Sequence, residues 1–498
     1  MRIRVIGTGV MGRGIAQWAA TAGHTVELAD ARREAVGEAI DFVGQLLDRA
    51  VAKGRMTEPD ASAVRARLVP LDAVTAPGDD VDLVIEAVRE DLETKAELFA
   101  ALEEVLPPTT IFATNTSSLP VTRIAATLAD PSRLAGLHFF NPVPLMKIVE
   151  VVPGAATRPE LPDVLTELVR ASGHRAVVVA DTPGFLVNHA GRGLVTEAFA
   201  LLEDSVAEPV VLDRIARDVL GLRMGPFELM DLTGLDVTAA VIDSIWTGFR
   251  HSDRLRPSFL TPNRVAAGLL GRKTGRGFYD HAAGPPPEEE PVPADPDCPL
   301  WIDGTGPDAG ALRAALPRAL PHRTPEAVVL VPTWGTTVSA AVAARGLPAA
   351  RTFGVDPLSL DTRRRVLAVT PASDPDAVRA AAGALAATAE SVSVVRDTPG
   401  SVAQRLLASI VSVAASIAER SLATPEDIDQ AVTAALGYPA GPLAWGDRVG
   451  AARLLDLQEN LHTSTGDPRY RPTRWLRERA ELGLPLTTPA YPLEKGTP

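Results

Sequence analysis

The chain opens with MRIRVIGTGVMGRGIAQWAATA, residues 1–22, and this stretch decides the fold. Its apolar start predicts a strand over Ile3–Gly7, and the residues after the glycines predict a helix to about Ala22. The turn between them contributes Gly7, Gly9, Val10, Met11 and Gly12. The first glycine permits the tight turn, the second lets backbone approach a pyrophosphate, and the third lets helix pack on strand. Amides at the helix start would then bind the phosphates of a dinucleotide.

The next predicted strand ends at Asp30, 18 residues after Gly12. An acid at this place accepts hydrogen bonds from the adenosine ribose and repels a 2'-phosphate. We therefore expect NAD as the cofactor rather than NADP, although Arg32 and Arg33 lie close by. The alternative is a purely structural glycine-rich turn that binds no ligand.

Composition excludes several classes of function. The net charge of -13 argues against a nucleic-acid or anionic-membrane partner, because phosphate binding needs clustered Lys and Arg. A single cysteine, Cys298, excludes an intrachain disulfide framework, and no metal site is expected. No signal peptide precedes the first strand, and no apolar run approaches the roughly 20 residues that span a bilayer. The sequence predicts a cytoplasmic protein.

Short apolar runs alternate with helical patterns up to about residue 180, which favours a parallel sheet with helices on both faces. The predicted strands are Ile3–Gly7, Thr25–Asp30, Asp82–Glu86, Thr110–Ala113, Leu134–Phe139 and Ala176–Ala180. From Phe185 to about Leu270 the pattern is helical. The proline-rich run 281–297 forms neither helix nor central strand, and we interpret it as a linker.

An internal repeat lies beyond the linker. Asp181-Thr182-Pro183-Gly184 recurs as Asp397-Thr398-Pro399-Gly400, and Gly225-Pro226 and Asp213 recur at the same offset of 216 residues as Gly441-Pro442 and Asp429. Three anchors in one register make chance a poor explanation. The helical domain is therefore predicted to be duplicated.

The region before the second copy is shorter than its counterpart. It holds 116 residues, against the 180 that precede the first copy, and its glycine cluster at 304–310 has the wrong spacing for a dinucleotide turn. We expect a degenerate α/β remnant, with strands near Ala327–Val331 and Arg365–Val369 and a helix near Asp376–Glu390. The predicted domains are 1–182 (Rossmann-like α/β), 183–280 (all-α), 281–297 (linker), 298–396 (degenerate α/β) and 397–498 (second helical copy, catalytically empty).

A histidine and a glutamate mark the candidate chemistry. His138 ends an apolar strand, and Glu150 stands in a second apolar run where an ionised carboxylate needs a partner. The turn through Pro142 and Pro144 would bring the two together as a general base and its supporting acid. A core histidine bonded to backbone and a solvated edge-strand glutamate remain alternatives from the spacing alone.

Several motifs in order resemble the 3-hydroxyacyl-CoA dehydrogenase family over essentially all of residues 1–280. They are HFFNPVP at 138–144, NTSSL at 115–119, DTPGFLVN at 181–188 and GRKTGRGFY at 271–279. The resemblance implies that His138 is the base, Glu150 its partner, and Ser117 and Asn188 donors to the substrate oxygen. It also implies that Glu90, Lys95, Ser117, Asn141 and Lys273 line the NAD site.

Structural roles for these residues stay open as alternatives. Ser117 and Asn188 are each placed where a helix cap would stand, and Lys273 would serve equally as a solvated loop charge. The repeat maps Asn188 onto Gln404, and no HFFNP segment precedes the second copy. Within the resembled family helical domains pair across a homodimer, so a homodimer is one expectation, with the duplicated domain taking over part of that contact.

The C-terminal run, including YPAGPLAWG at 438–446 and DPRYRP at 467–472, resembles the long dehydrogenases of phenylacetate catabolism that act on 3-hydroxyadipyl-CoA. The resemblance implies an acyl-CoA substrate. The alternatives are 3-hydroxybutyryl-CoA, a sugar acid on the same scaffold, and a non-catalytic NAD-binding structural protein. The remaining length leaves no room for a crotonase domain.

Overall fold

The computed structural model describes residues 1–284 and 288–490. They form two compact units: unit 1 holds Met1–Asn188 and Leu422–Leu436, and unit 2 holds His189–Ser421 and the described residues from Gly437 onward. Residues 285–287 of the predicted linker, and the last eight residues of the predicted second helical domain, lie outside the described residues. The described part of the linker from 288 to 297 contains neither helix nor strand.

Unit 1 is built on an eight-stranded sheet in the order β3-β2-β1-β4-β5-β6-β7-β8. Its strands are β1 (Arg2–Ile6), β2 (Thr25–Ala29), β3 (Leu68–Pro70), β4 (Leu83–Glu86), β5 (Ile111–Thr114), β6 (Leu134–Phe139), β7 (Ile148–Pro153) and β8 (Arg175–Val178). All six predicted strands are present to within two residues. The strand order reverses between β1 and β4, and at such a switch point the carboxyl ends of the strands flank a ligand crevice.

One pair departs from the predicted parallel sheet. β6 and β7 are antiparallel, and His138 pairs directly with Glu150 in their register. The connection between them runs only from residue 140 to 147. A parallel crossover needs a dozen residues or more, so this length permits only a reversal of direction.

Helices alternate with these strands along the chain and pack against the sheet. They are α1 (Val10–Thr21), α2 (Arg33–Ala52), α3 (Glu58–Ala66), α4 (Leu92–Val105), α5 (Val121–Ala125), α6 (Leu161–Ala171) and α7 (Val187–Ala190). The central strands are buried on both sides, as the apolar runs without polar alternation require. Ile3, Val5 and Ile15 are fully buried where β1 and α1 enclose the core.

Unit 2 begins with the predicted helical domain. Its helices are α8 (Arg192–Glu203), α9 (Pro209–Asp218), α10 (Pro226–Thr233), α11 (Leu235–Gly248) and α12 (Leu260–Ala266). The repeat anchor Asp213 caps α10, because its carboxylate accepts the amides of Phe227 and Glu228 at 2.9 Å each. Burial of the Asp213 carboxyl raises its pKa to about 7 despite these bonds and a third from Tyr279.

The degenerate region keeps half of an α/β sheet. It consists of β9 (Leu300–Ile302), α13 (Pro307–Ala315), β10 (Val328–Pro332), α14 (Val338–Arg345), β11 (Thr352–Val355), β12 (Arg364–Val369), α15 (Pro375–Ala386) and β13 (Ser391–Arg396). The order β13-β12-β11-β10-β9, with β11 and β12 antiparallel, reproduces β8-β7-β6-β5-β4 of unit 1. Among the described residues this sheet has no counterparts of β1, β2 and β3, so the strands that carry the glycine turn and Asp30 are missing from it.

The second helical copy contains α16 (Ser401–Glu419), α17 (Pro425–Leu436), α18 (Pro442–Val449), α19 (Ala451–Thr465) and α20 (Arg474–Leu482). In unit 2, α16 packs along α8, and a buried ion pair of 2.6 Å joins Arg405 on α16 to Glu197 on α8. α16 alone among the described helices is long and apolar enough to cross a membrane, but 94% of that apolar window is buried within the protein, as in a core helix.

The aspartate of the repeated DTPG tetrapeptide caps a helix in both copies. The carboxylate of Asp181 accepts the amides of Val121 and Thr122 at 2.9 and 2.7 Å, which caps α5. Asp397 caps α14 in the same way. In each copy the glycine and the next residue have positive φ, at 74° and 48° for Gly184 and Phe185 and at 74° and 47° for Gly400 and Ser401. The motif thus has the same backbone geometry in the copy that lacks a counterpart of His138.

Candidate active site

The glycine turn leaves room for a ligand. Gly7 has a φ of 89°, and a Cβ there would lie 2.5 Å from the carbonyl oxygen of Ala87. A Cβ at Gly12 would lie 1.6 Å from the oxygen of Gly7, so both positions exclude a side chain. Gly9 differs, because no atom lies within 4 Å of its would-be Cβ. It is the N-cap of α1 without a side-chain cap, and the first-turn amides, including those of Val10 and Met11, are therefore available to a pyrophosphate.

Asp30 is fastened to this turn. Its Oδ2 accepts the amide of Thr8 at 2.7 Å and its Oδ1 accepts the amide of Arg32 at 3.0 Å. Burial alone would raise the pKa of Asp30, but these bonds and the Arg32 charge hold it below its ordinary value. The carboxylate is therefore ionised at neutral pH, as ribose recognition and rejection of a 2'-phosphate require.

Glu90 organises the loop after β5. It accepts the Thr116 hydroxyl at 2.7 Å and the amides of Ser117 and Ser118 at 2.9 Å each. Burial alone would raise the pKa of Glu90, but the Thr116 hydroxyl, the Lys95 charge and the Ser118 and Ser117 bonds hold it low. The sequence predicts that Glu90 lines the cofactor site. Its side chain is 36% exposed, so it is accessible to a ligand.

Lys95 is not at the surface of the predicted NAD site. Its side chain is 1% exposed, and its Nζ lies 2.5 Å from Glu86 and 3.4 Å from Glu90. The sequence pattern could not foresee this, because the buried partner Glu86 has the appearance of an ordinary strand residue. In this position Lys95 contacts Glu86 and Glu90 and is itself enclosed by the protein.

His138 and Glu150 form a buried dyad. Their Nδ1 and Oε2 atoms are 2.6 Å apart, and Glu150 is fully buried. A carboxylate against Nδ1 fixes the tautomer in which Nδ1 donates and Nε2 is left as the basic atom. The imidazole ring packs 4.5 Å from Phe140 and 5.7 Å from Phe185, measured between ring centroids.

The second oxygen of Glu150 is also satisfied. Its Oε1 accepts the amides of Leu186 and Val187 at 3.0 and 2.9 Å. The left-handed residues Gly184 and Phe185 turn the chain so that these two amides converge on the carboxylate. A fully buried carboxylate with three donors is held in one position, which is the condition for orienting a catalytic imidazole.

The other predicted site residues of unit 1 lie in the loops that follow β5 and β6 and in α7. Ser117 is exposed in the loop after β5, Asn141 is exposed after β6, and Asn188 is half-buried in α7, next to the amides that hold Glu150. Asn115, for which the sequence predicted no role, accepts the Phe139 amide at 2.8 Å and ties the end of β5 to the end of β6. Lys273 belongs to unit 2, where it forms an ion pair with Asp236.

In the second copy, the position that corresponds to the His138 site is occupied by a hydrogen-bonded pair, Asp356 and Gln404. Asp356 follows Gly354 by two residues at the end of β11, as His138 follows Gly136 on β6. Gln404, the repeat counterpart of Asn188, donates to Asp356 at 2.9 Å and accepts the Gly335 amide at 2.9 Å. Burial raises the pKa of Asp356 to about 6. This arrangement contains no imidazole and no glycine turn.

A groove in unit 1 was not predicted from the sequence. It has a volume of about 500 Å³ and runs beside α1 and α2 to Asn141. Its lining includes the cations Arg13, Arg49, Lys53 and Arg55 and the apolar residues Val10, Phe42, Leu46 and Leu145. Leu145 is 73% exposed, and none of the four cations forms an ion pair with the described residues. Only the folded chain reveals this cluster, because α1, α2 and the turn after β6 are far apart in sequence.

The amino-acid sequence is similar to known dehydrogenases over nearly its whole length. Residues 2–182 match the NAD-binding domain of 3-hydroxyacyl-CoA dehydrogenases, and residues 184–281 and 400–488 both match their C-terminal domain. The chain is 39% identical over 486 residues to the 3-hydroxyadipyl-CoA dehydrogenase of Escherichia coli, covering 96% of this chain and 97% of that protein. It is 39% identical over 280 residues to a probable 3-hydroxybutyryl-CoA dehydrogenase of Bacillus subtilis, covering 56% of this chain and 97% of that protein.

A solved structure shares the whole architecture. The crystal structure of a 3-hydroxybutyryl-CoA dehydrogenase from Escherichia coli is 38% identical, with a TM-score of 0.85, and covers 97% of this chain and 98% of that one. The two helical matches also confirm the predicted duplication, while the predicted domain boundaries stay predictions. With the NAD-binding turn, both helical copies and this full-length similarity, the chain belongs to the 3-hydroxyacyl-CoA dehydrogenase family.

Proposed function

We propose that this protein oxidises the 3-hydroxyl of a 3-hydroxyacyl-CoA with NAD, and that only its first half is catalytic. The observation that carries the proposal is the 2.6 Å contact between His138 and Glu150 at the carboxyl end of β6. β1, β4, β5 and β6 run parallel, so the ends of β1, β4 and β5, which are followed by the glycine turn, Glu90 and Ser117, lie at the same edge of the sheet as His138. The dyad and the NAD-binding turn therefore belong to one crevice.

In the forward reaction His138 accepts the proton of the 3-hydroxyl at Nε2, and the C3 hydride leaves as the carbonyl forms. Bound NAD supplies the hydride acceptor. Glu150 stabilises the imidazolium that results, and the Leu186 and Val187 amides keep its carboxylate in place. We assign Ser117 and Asn188 as donors to the substrate oxygen. Glu90, Asn141 and Lys273 are assigned to the cofactor site, and Lys95 to positioning Glu90.

We assign the groove beside α1 and α2 to the CoA moiety. CoA carries phosphates and an adenine ring, and the groove offers four cations without ion-pair partners among the described residues, next to exposed apolar side chains. Arg13 stacks 3.7 Å from the centroid of the Phe42 ring, which gives one end of the groove a flat, cationic surface. Asn141, which we place at the cofactor, lines the same groove.

For the acyl group we propose 3-hydroxyadipyl, in the catabolism of phenylacetate, by a soluble cytoplasmic enzyme. The support is the similarity along 96% of the chain to a protein named for that substrate, including the second half that the 280-residue relatives lack. The protein in the full-length crystal structure is named for 3-hydroxybutyryl-CoA, which is therefore the second candidate. A non-catalytic NAD-binding protein is disfavoured by the intact dyad and the two amides that hold its carboxylate.

A steady-state panel tests both levels of the proposal. NADH formation is followed with 3-hydroxyadipyl-CoA, 3-hydroxybutyryl-CoA and a longer 3-hydroxyacyl-CoA, with a sugar acid as the comparison substrate. We expect turnover with the CoA esters and the highest kcat/KM for 3-hydroxyadipyl-CoA. A higher value for 3-hydroxybutyryl-CoA would reassign the substrate, and turnover of none of the esters would refute the reaction class.

A further inference from the structure

The two halves of the chain exchange one helix each. α17 belongs to the second helical copy, yet it lies in unit 1 and packs on β7 and β8 of the catalytic sheet. α9 belongs to the first copy and packs on β12 of the degenerate sheet in unit 2. The exchange is therefore reciprocal.

Backbone hydrogen bonds fix the exchange in register. The amide of Ala180 donates to the carbonyl of Leu422 at 2.9 Å, and the amide of Arg396 donates to the carbonyl of Val206 at 2.9 Å. Both members of the first pair map onto the second pair at the repeat offset of 216 residues. Two copies that bind each other through the same pair of positions are related as the subunits of a two-fold dimer are.

Ala180, which binds the segment Leu422–Leu436, is close along the chain to the residues that hold Glu150. The amide of Val179 pairs with Val151, the neighbour of Glu150, and the next residue, Ala180, pairs with Leu422. Six and seven residues after Ala180, the amides of Leu186 and Val187 bind Glu150. The Leu422 contact is thus made at the residue that lies between β8 and the turn that holds Glu150.

We propose that the segment Leu422–Leu436 is a positioning element for the His138–Glu150 dyad, and that this is one role of the catalytically empty half. The proposal rests on the proposed dehydrogenase function for its kinetic part. It explains how a copy without a counterpart of His138 and without a dinucleotide-binding glycine turn contributes to catalysis. The first half uses a helix that it does not itself encode.

The repeat supplies a matched pair of variants. Ile428 on α17 and Leu212 on α9 occupy equivalent positions and are both fully buried. Ile428→Ala and Leu212→Ala remove the same number of carbons, so we expect both to lower Tm by similar amounts. The exposed Arg175–Glu426 ion pair at 3.4 Å is a poorer target, because such pairs contribute little.

The full-length variants are compared by kinetics with 3-hydroxybutyryl-CoA as the probe. Ile428→Ala should lower kcat by about tenfold or more, since small displacements of reacting groups are costly, while KM for NAD stays near the wild-type value. Leu212→Ala should keep kcat within about twofold, and Ile428→Leu should restore most of it. Equal kcat values in the two alanine variants would overturn the proposal.

Hydrogen exchange gives a readout that needs no activity. Ile428→Ala should speed amide exchange in the peptide that contains Leu186 and Val187, and Leu212→Ala should speed it in the peptide that contains Ala403 and Gln404 instead. Identical exchange patterns in the two variants would refute positioning by α17. A wild-type protein that turns over no hydroxyacyl-CoA would refute the proposed function but leave this test decisive.

Discussion

At the scale of single residues, the dyad makes the sharpest prediction. His138→Gln keeps a polar side chain beside Glu150 but removes the basic nitrogen, so kcat should fall by about 100 to 10,000-fold, the usual worth of a general base. The Kd for NAD, measured by fluorescence titration, should change little, because the glycine turn and Asp30 are untouched. Turnover at the wild-type rate would show that another group accepts the proton.

Asp30 carries the choice of dinucleotide. Asp30→Ser removes the charge that would repel a 2'-phosphate, so the ratio of kcat/KM for NAD to that for NADP should fall by about tenfold, equivalent to roughly 1.4 kcal/mol. Asp376→Ser is the matched control, because Asp376 is an exposed acid that pairs with Arg379 on α15 of unit 2. An unchanged ratio in Asp30→Ser would withdraw the assignment of Asp30.

His189 makes the protein sensitive to acid. Burial, followed by the charges of Arg420 and Arg192, lowers its pKa from 6.5 to about 3. The folded value lies below the unfolded one, so the stability of the neutral form is present above pH 6.5 and is lost as the pH falls toward 3. At about pH 5 the loss amounts to ~2 kcal/mol. Urea unfolding at about pH 5 and about pH 7.5 should show this difference in wild type, and it should be smaller by that amount in His189→Leu.

At the scale of elements, the crossing of α8 and α16 is set by one glycine. A Cβ at Gly193 would lie 2.8 Å from the Cα of Ile410 and 2.9 Å from the oxygen of Ser409, and Ser409 is the repeat counterpart of Gly193. Gly193→Ala must push the helices apart and should lower the free energy of unfolding by about 1–3 kcal/mol. Gly37→Ala on α2, where a Cβ meets no atom within 4 Å, should instead raise it by about 0.5–1 kcal/mol. Thermal unfolding of both variants measures the contrast, and a loss in both would refute the close-packing argument.

Local patterns predicted most elements, and contacts distant in sequence account for the rest. The glycine turn and the apolar strand that ends in His138 were readable, because each is specified by neighbouring residues. The antiparallel pairing of β6 with β7 follows from connection length, but the alternation of strands and helices had favoured a wholly parallel sheet. Burial of Lys95 beside Glu86, and the placing of α17 on the catalytic sheet, depend on residues far along the chain, and no local period encodes them.

At the scale of the whole molecule, the internal repeat bears on the oligomeric state. A two-fold contact uses the same surface on both partners, so a chain that contains both copies satisfies it internally and leaves no second copy exposed. The paired α8 and α16, with their buried Arg405–Glu197 ion pair, form such a contact inside unit 2. We therefore predict a monomer, and light scattering coupled to size-exclusion chromatography should give a mass near 52.4 kDa. Twice that mass at micromolar concentration would mean that a different surface associates, and that the duplication does not replace a dimer contact.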